Sequence, residues 1–143
     1  MNPTPSFSPR SFSLRAMAVA ALLASTALIS AAHAATPAGM LAGYTSQAGA
    51  PASAARGQQF FNRTHGKEWN CGSCHGAIPT QAGKHASTGK PIAALAPATN
   101  AERFTDTAKT EKWFRRNCND VLGRECTPGE KADVLAWLMS LAK

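Results

Sequence analysis

Cys71-Gly72-Ser73-Cys74-His75 is the stretch whose residue types and spacing carry the clearest chemistry. Two thiols three residues apart can each add to one of the two neighbouring vinyl groups of a single porphyrin. The imidazole of the next residue then lies under the ring, where it can bind the iron as proximal ligand. The run therefore reads as the attachment site of one covalently bound haem c, with Cys71 and Cys74 as the thioether positions and His75 as an axial ligand. Two other chemistries use such a cysteine pair. Zinc would need two further ligands at matching spacing, and a thioredoxin-like pair belongs near a βαβ pattern, which this chain lacks.

A haem held by His75 leaves the sixth position of the iron to be assigned. Methionine is nearly excluded, because beyond residue 34 only Met40 and Met139 occur and none lies between His75 and Ala136. The remaining candidates are His85, Lys84, Lys90, Asn117 and water. His85 would make a bis-histidine, low-potential electron-transfer haem, but its surroundings, Ala82 to Ser87, read as solvated surface. Asn117 has a different setting. At 100° per residue Thr110, Trp113, Phe114, Asn117 and Val121 share one side of a helix, opposite Lys109, Lys112, Arg115, Arg116 and Asn119. An amide within an aromatic face must bond to something.

Around these residues the chain divides into a leader and one domain. Arg10 and Arg15, the apolar run from Ala16 to Ile29, and Ala32-His33-Ala34 have the form of a cleaved secretory signal over residues 1–34. The apolar run falls short of the roughly 20 residues of a comfortable membrane span, so no stable span is expected after cleavage. Export places the chain in the periplasm, where c-type haem is attached and disulfides persist, and the two cysteines left over, Cys118 and Cys126, are then expected to pair.

The mature part, 35–143, carries 13 basic residues once Arg10 and Arg15 are removed, against 8 acidic ones, a formal charge of +5. That modest balance, without an aromatic-and-basic stripe, argues against nucleic acid and suits an acidic face of a redox partner. Leu, Ile, Val and Phe number only 14 in this part. So few apolar side chains would normally mark a chain that cannot fold, and a large apolar cofactor can supply the missing core.

Residues 35–52, rich in Ala, Gly, Pro and Ser, read as a linker or loosely packed lead-in; the spacing of Met40, Leu41 and Tyr44 also allows a short helix. A firm helix is predicted from Ser53 to Thr64, with Ser53 as N-cap, Gly57 at a close helix crossing and Phe61 in the core. His65 reads as a surface or haem-edge residue, and Trp69 as haem packing. Residues 76–103 read as a long irregular loop with no strand alternation, in which Ile92 and Leu95 would touch the macrocycle and Pro79 would place a carbonyl for the Nδ1–H of His75. A helix from Thr105 or Asp106 to Asp120 puts Trp113 and Phe114 against the haem, and Gly123 suits its C-cap. Thr127, Pro128 and Glu130 form a capping box for the last helix, whose apolar face holds Val134, Leu135, Trp137, Leu138 and Leu141.

The stretch Arg103-Phe104-Thr105-Asp106, Glu111 to Cys118, and Val121 to Pro128, taken with Cys71 to His75, closely resembles the sphaeroides haem protein (SHP) family of class I cytochromes c. The resemblance covers roughly residues 53–143 and implies an all-α, small class I cytochrome c fold whose N- and C-terminal helices cross around one covalently bound haem. It implies axial ligation by His75 and Asn117 in the oxidised state and a disulfide between Cys118 and Cys126. It also implies that the asparagine leaves on reduction, opening a site for oxygen, nitric oxide or a similar small ligand, with a dihaem cytochrome c as electron donor. The alternatives are a bis-histidine shuttle using His85 and a small oxidase or reductase at the open iron. No acid–base pair for the latter can be located in the sequence.

Overall fold

The computed structural model describes Met1 and residues 35–142; the leader expected over 1–34 lies, Met1 apart, outside the described residues. Five helices and one minimal hairpin make up the rest: α1 (Pro37–Ala48), α2 (Ala54–Asn62), α3 (Cys71–His75), β1 (Gly83–Lys84), β2 (Pro91–Ile92), α4 (Thr107–Leu122) and α5 (Pro128–Ser140). Among the described residues no helix is long and apolar enough to cross a membrane.

Within 35–52 the short helix that the spacing of Met40, Leu41 and Tyr44 allows is present and capped, in place of a linker or loose lead-in. Thr36 accepts from the Gly39 N–H at 3.0 Å, Pro37 opens the first turn, and Gly49 closes it in the left-handed region at φ 64°. Met40 and Tyr44, four residues apart, are both buried against α5. Composition misled here, because a helix that buries only one residue per turn can be built mostly from Ala, Gly and Ser.

α2 and α5 cross at Gly57. A Cβ built there would lie 1.9 Å from the carbonyl oxygen of Asp133, so only glycine lets the two backbones approach this closely. The Asp133 carboxylate closes the same junction, accepting from the Ser53 N–H at 2.6 Å and from Arg56 Nε and Nη2 at 2.7 and 2.8 Å. Below the crossing, Phe61 and Trp137 pack with ring centroids 4.9 Å apart, beside the fully buried Leu135 and Leu138. The capping box at Thr127 and Glu130 starts α5 as the sequence predicts.

α4 is rotated by a polar junction. Glu111 accepts from the Tyr44 hydroxyl of α1 and, at 2.7 Å, from Lys131 Nζ of α5, and the Lys131 ammonium sits over the Tyr44 and Phe114 rings. Burial pulls the Glu111 pKa up, but the hydrogen bonds from Lys131 and Tyr44 and the charges of Lys131 and Arg115 outweigh it, leaving the group below its ordinary value. A carboxyl held low in the folded state contributes stability that is complete above its unfolded pKa and is lost as pH falls through the folded one. Glu111→Gln should therefore lower Tm at neutral pH, and the difference from wild type should close as pH falls below the ordinary carboxylate range. Two Tm profiles that stay parallel down to about pH 3 would remove Glu111 from this role.

The segment 76–103 contains one regular feature that the sequence did not show. β1 and β2 pair antiparallel, Gly83 with Ile92 and Lys84 with Pro91. Two residues per strand are too few to produce a visible alternation. The Pro79 carbonyl accepts from the Leu95 and Ala96 N–H groups, both at 3.0 Å. It thus ties the loop together and makes no hydrogen bond to His75 among the described residues.

Candidate haem site

The attachment motif is a helical turn built to be rigid. Asn70 caps α3, accepting from the Ser73 N–H at 2.8 Å, while Ser73 Oγ accepts in return from the Asn70 N–H at 3.1 Å. Asn70 also donates to the Asn62 carbonyl at the end of α2, which fixes α3 against the first core helix. Cys71 packs against the apolar core, and burial, the largest cause, pushes its thiol up to about 11. Cys74 turns the other way, and its Sγ accepts from the Ala86 N–H at 3.3 Å. The hairpin reaches α3 through Gly83, where a Cβ would lie 2.2 Å from the Cys74 carbonyl oxygen.

His75 ends this turn with its ring 6.2 Å from that of Phe61. Burial and then the nearby charge of Arg103 lower its pKa to about 4, so the imidazole is neutral at physiological pH. Neutral imidazole is the form that has a lone pair for iron. The Arg103 guanidinium is anchored on the loop before α4, donating from Nε to the Ala94 carbonyl at 2.8 Å and from Nη2 to Ala93 at 2.6 Å.

On α4 the buried residues are Thr110, Cys118 and Val121, with Phe114 and Asn117 half-buried. The buried face is rotated from the sequence expectation toward Glu111 and Cys118. Two forces account for the rotation: the Tyr44–Glu111–Lys131 junction, and a disulfide that joins Cys118 to Cys126 with a Cα–Cα distance of 5.5 Å. Trp113, expected on the aromatic face, is 42% exposed, with Arg116 5.7 Å from its ring centroid. Phe114 stays inside, its ring edge-on to Tyr44 at 5.8 Å.

Asn117 consequently stands at the edge of the buried face. Its amide makes no hydrogen bond to any described residue, whereas Asn62, Asn70, Asn100 and Asn119 all make one. The amide is thus left accessible, next to a disulfide-tethered turn.

The other expected positions are distributed unevenly. Cys71, Leu95 and Phe114 pack against one apolar cluster, which brings the motif, the loop and the distal helix together. Ile92 belongs to the hairpin, and Trp69 is half-buried just ahead of α3. His85 sits at the hairpin turn, where its Nδ1 accepts from the Thr88 N–H at 3.3 Å. His65 is bonded through Nε2 to the Phe60 carbonyl at 2.8 Å, away from any ligand role. Met40 is in the core and Met139 lies on the outer side of α5 beside Leu41, so neither joins the site. Sequence reasoning missed Asn70, Arg103 and Glu111. Only Asn70 had a local signal, the Asn-x-x-Ser spacing of a cap.

The residues present fit a haem: two thiols on one turn that are not bonded to each other, a neutral imidazole behind them, and half-buried Leu95 and Phe114 facing a core short of aliphatic side chains.

Comparison with known proteins finds c-type cytochromes. Residues 47–138 match the family described as "Domain of unknown function (DUF1924)". Cytochrome c-type protein SHP of Cereibacter sphaeroides is 56% identical over 107 residues, 72% of this chain and 82% of that protein. Cytochrome c'' of Methylophilus methylotrophus is 47% identical over 91 residues, 61% of this chain and 63% of that protein. Among solved structures, oxidised SHP, described as an oxygen binding cytochrome c, superposes with a TM-score of 0.71 at 54% identity, covering 76% of this chain and 99% of that one. Oxidised cytochrome c'' from M. methylotrophus superposes with a TM-score of 0.69 at 40% identity, covering 75% and 95%.

Proposed function

Because the chain belongs to the SHP family of c-type cytochromes, we propose that it is a periplasmic monohaem cytochrome whose distal ligand, Asn117, is held only while the protein is oxidised. Cys71 and Cys74 carry the haem by thioether bonds, and His75 holds the iron from the proximal side. Bound haem supplies one-electron redox chemistry and a metal position open to small neutral molecules.

The observation that carries the reading is the lone amide of Asn117, without a hydrogen-bond partner among the described residues, one residue before the Cys118–Cys126 bridge. An amide oxygen is a hard, neutral, weak donor, matched better to ferric than to ferrous iron. Asn117 is therefore a ligand that reduction can release, freeing its position for oxygen, nitric oxide or a similar diatomic molecule. The bridge limits how far the end of α4 can move when it does so. The electron comes from a dihaem cytochrome c partner, and the exposed lysines and arginines of α4 speed such an encounter with an acidic surface.

The visible spectrum in both oxidation states tests this. The ferrous protein should be high-spin and should take up CO; a six-coordinate, low-spin ferrous spectrum indifferent to CO would sink the proposal. Mass spectrometry of the periplasmic protein should find a chain starting at Ala35 and carrying one haem.

A further inference from the structure

Arg103 is the one arginine among the described residues that is not exposed. Of the exposed arginines, Arg56, Arg115 and Arg124 each face a carboxylate (Asp133, Glu125 and Glu130), while Arg63 and Arg116 are in no ion pair among the described residues and keep their water. Arg103 faces only the carbonyls of Ala93 and Ala94. A carbonyl dipole orients a guanidinium but does not neutralise it, and a cation partly withdrawn from water, as Arg103 is, gains from an anion that pairs with it. Of the five donors on the fork these carbonyls use two. One whole nitrogen, Nη1, and the second hydrogen of Nη2 remain without a partner among the described residues.

The backbone is committed to holding Arg103 in place. The next residue, Phe104, is the only described non-glycine residue with positive φ, at 61°, and its ring is buried in the core. Such a conformation costs on the order of 1 kcal/mol, and it persists where the surroundings impose it. The loop is bound into the same unit: Asn100 donates to the Ala94 carbonyl at 3.0 Å, and the Arg103 N–H donates to the Asn100 carbonyl at 3.1 Å. The same loop is tied to the segment that follows His75, because the Leu95 and Ala96 N–H groups donate to the Pro79 carbonyl. The guanidinium is thus a preorganised fork with no carboxylate partner among the described residues.

We propose that Arg103 is the binding residue for a haem propionate, pairing one carboxylate through the free edge of its fork while Ala93 and Ala94 set the orientation of that fork. The inference rests on the haem reading above. It selects Arg103 over the other nearby cations, Lys84 and Lys90, because these are exposed point charges with no comparable anchoring. Two alkyl carboxylates on a cofactor attached at Cys71 and Cys74 are the anions that the site would meet in every molecule.

The test uses holoprotein whose propionate carboxyl carbons are labelled with carbon-13, so that infrared difference spectra isolate the two carboxylates. Arg103→Gln should raise the proton affinity of one carboxylate at least tenfold, about one pH unit, and leave the other less changed. No movement of either band, or equal movement of both, overturns the proposal. If Arg103→Gln does not accumulate, Arg103→Lys serves, because replacing a planar fork with a point charge must change the antisymmetric stretch of one carboxylate. Two bands identical to wild type would again overturn it. Covalent haem is quantified in wild type and in each variant. Haem missing from wild type would be a failure of the proposed function, whereas intact haem with unmoved bands would be a failure of Arg103 alone.

Discussion

Asn117→Ala is expected to leave the haem attached and to convert the oxidised protein from low-spin to high-spin or water-ligated, with apparent affinity for added imidazole raised about tenfold to a hundredfold. The direction follows from competition. An internal ligand that occupies its position most of the time reduces the apparent affinity of any competitor by the fraction of molecules in which the position is open, and removing it restores the intrinsic value. Attachment should survive because the thioether residues and His75 sit on α3, which Asn70 caps and anchors to α2, whereas Asn117 lies on α4. The reduced protein should respond little, since Asn117 is already released there. That asymmetry between oxidation states separates a redox-released ligand from an ordinary structural asparagine, whose removal would affect both states alike. An oxidised spectrum and imidazole affinity equal to wild type would exclude Asn117 from the iron.

Gly57→Ala should be the most destabilising single-methyl change in the chain. The added Cβ would meet three backbone atoms of α5: Asp133 O at 1.9 Å, Asp133 C at 2.4 Å and Val134 N at 2.9 Å. Backbone atoms cannot rotate away, so α2 and α5 must separate. Separation loosens the Phe61–Trp137 contact and the hydrogen bonds of Asp133 with Ser53 and Arg56. Alanine gains about 1 kcal/mol over glycine in helix propensity. Overpacking of this severity costs roughly 3 kcal/mol or more, so the clash wins. In a domain of this size the net loss corresponds to a fall in Tm on the order of 10 °C, readable by calorimetry or circular dichroism. A variant as stable as wild type would mean that the helices do not cross at Gly57.

These two residues also show how legibility divides. Gly57 was readable because a glycine four residues before a buried phenylalanine, in a capped helix, has few reasons to be there other than a close crossing. Asn117 was readable as a candidate because methionine was absent and the helix was strongly amphipathic. The exact face of α4 was not. The wheel placed Trp113 on the aromatic face, and the structure exposes it. The rotation comes from Tyr44, Glu111 and Lys131, which lie on three different helices and are linked by no local pattern. α1 was obscured for a related reason, since its partner surface on α5 lies about ninety residues further along the chain.

By itself the sequence determined the chemistry of the attachment turn and the starts of the core helices α2, α4 and α5. Each of these depends on residues within a few positions of one another: two thiols and an imidazole on one turn, a Ser, Asp or Thr cap one residue before a helix, a capping box at Thr127 and Glu130. Only the tertiary structure decided which way α4 faces, that residues 37–48 belong to the core, and that Arg103 is held by the Ala93 and Ala94 carbonyls with no carboxylate partner among the described residues. Those outcomes depend on contacts between distant segments, where burial, a shared carboxylate and the exclusion of water act on groups that the chain does not place side by side.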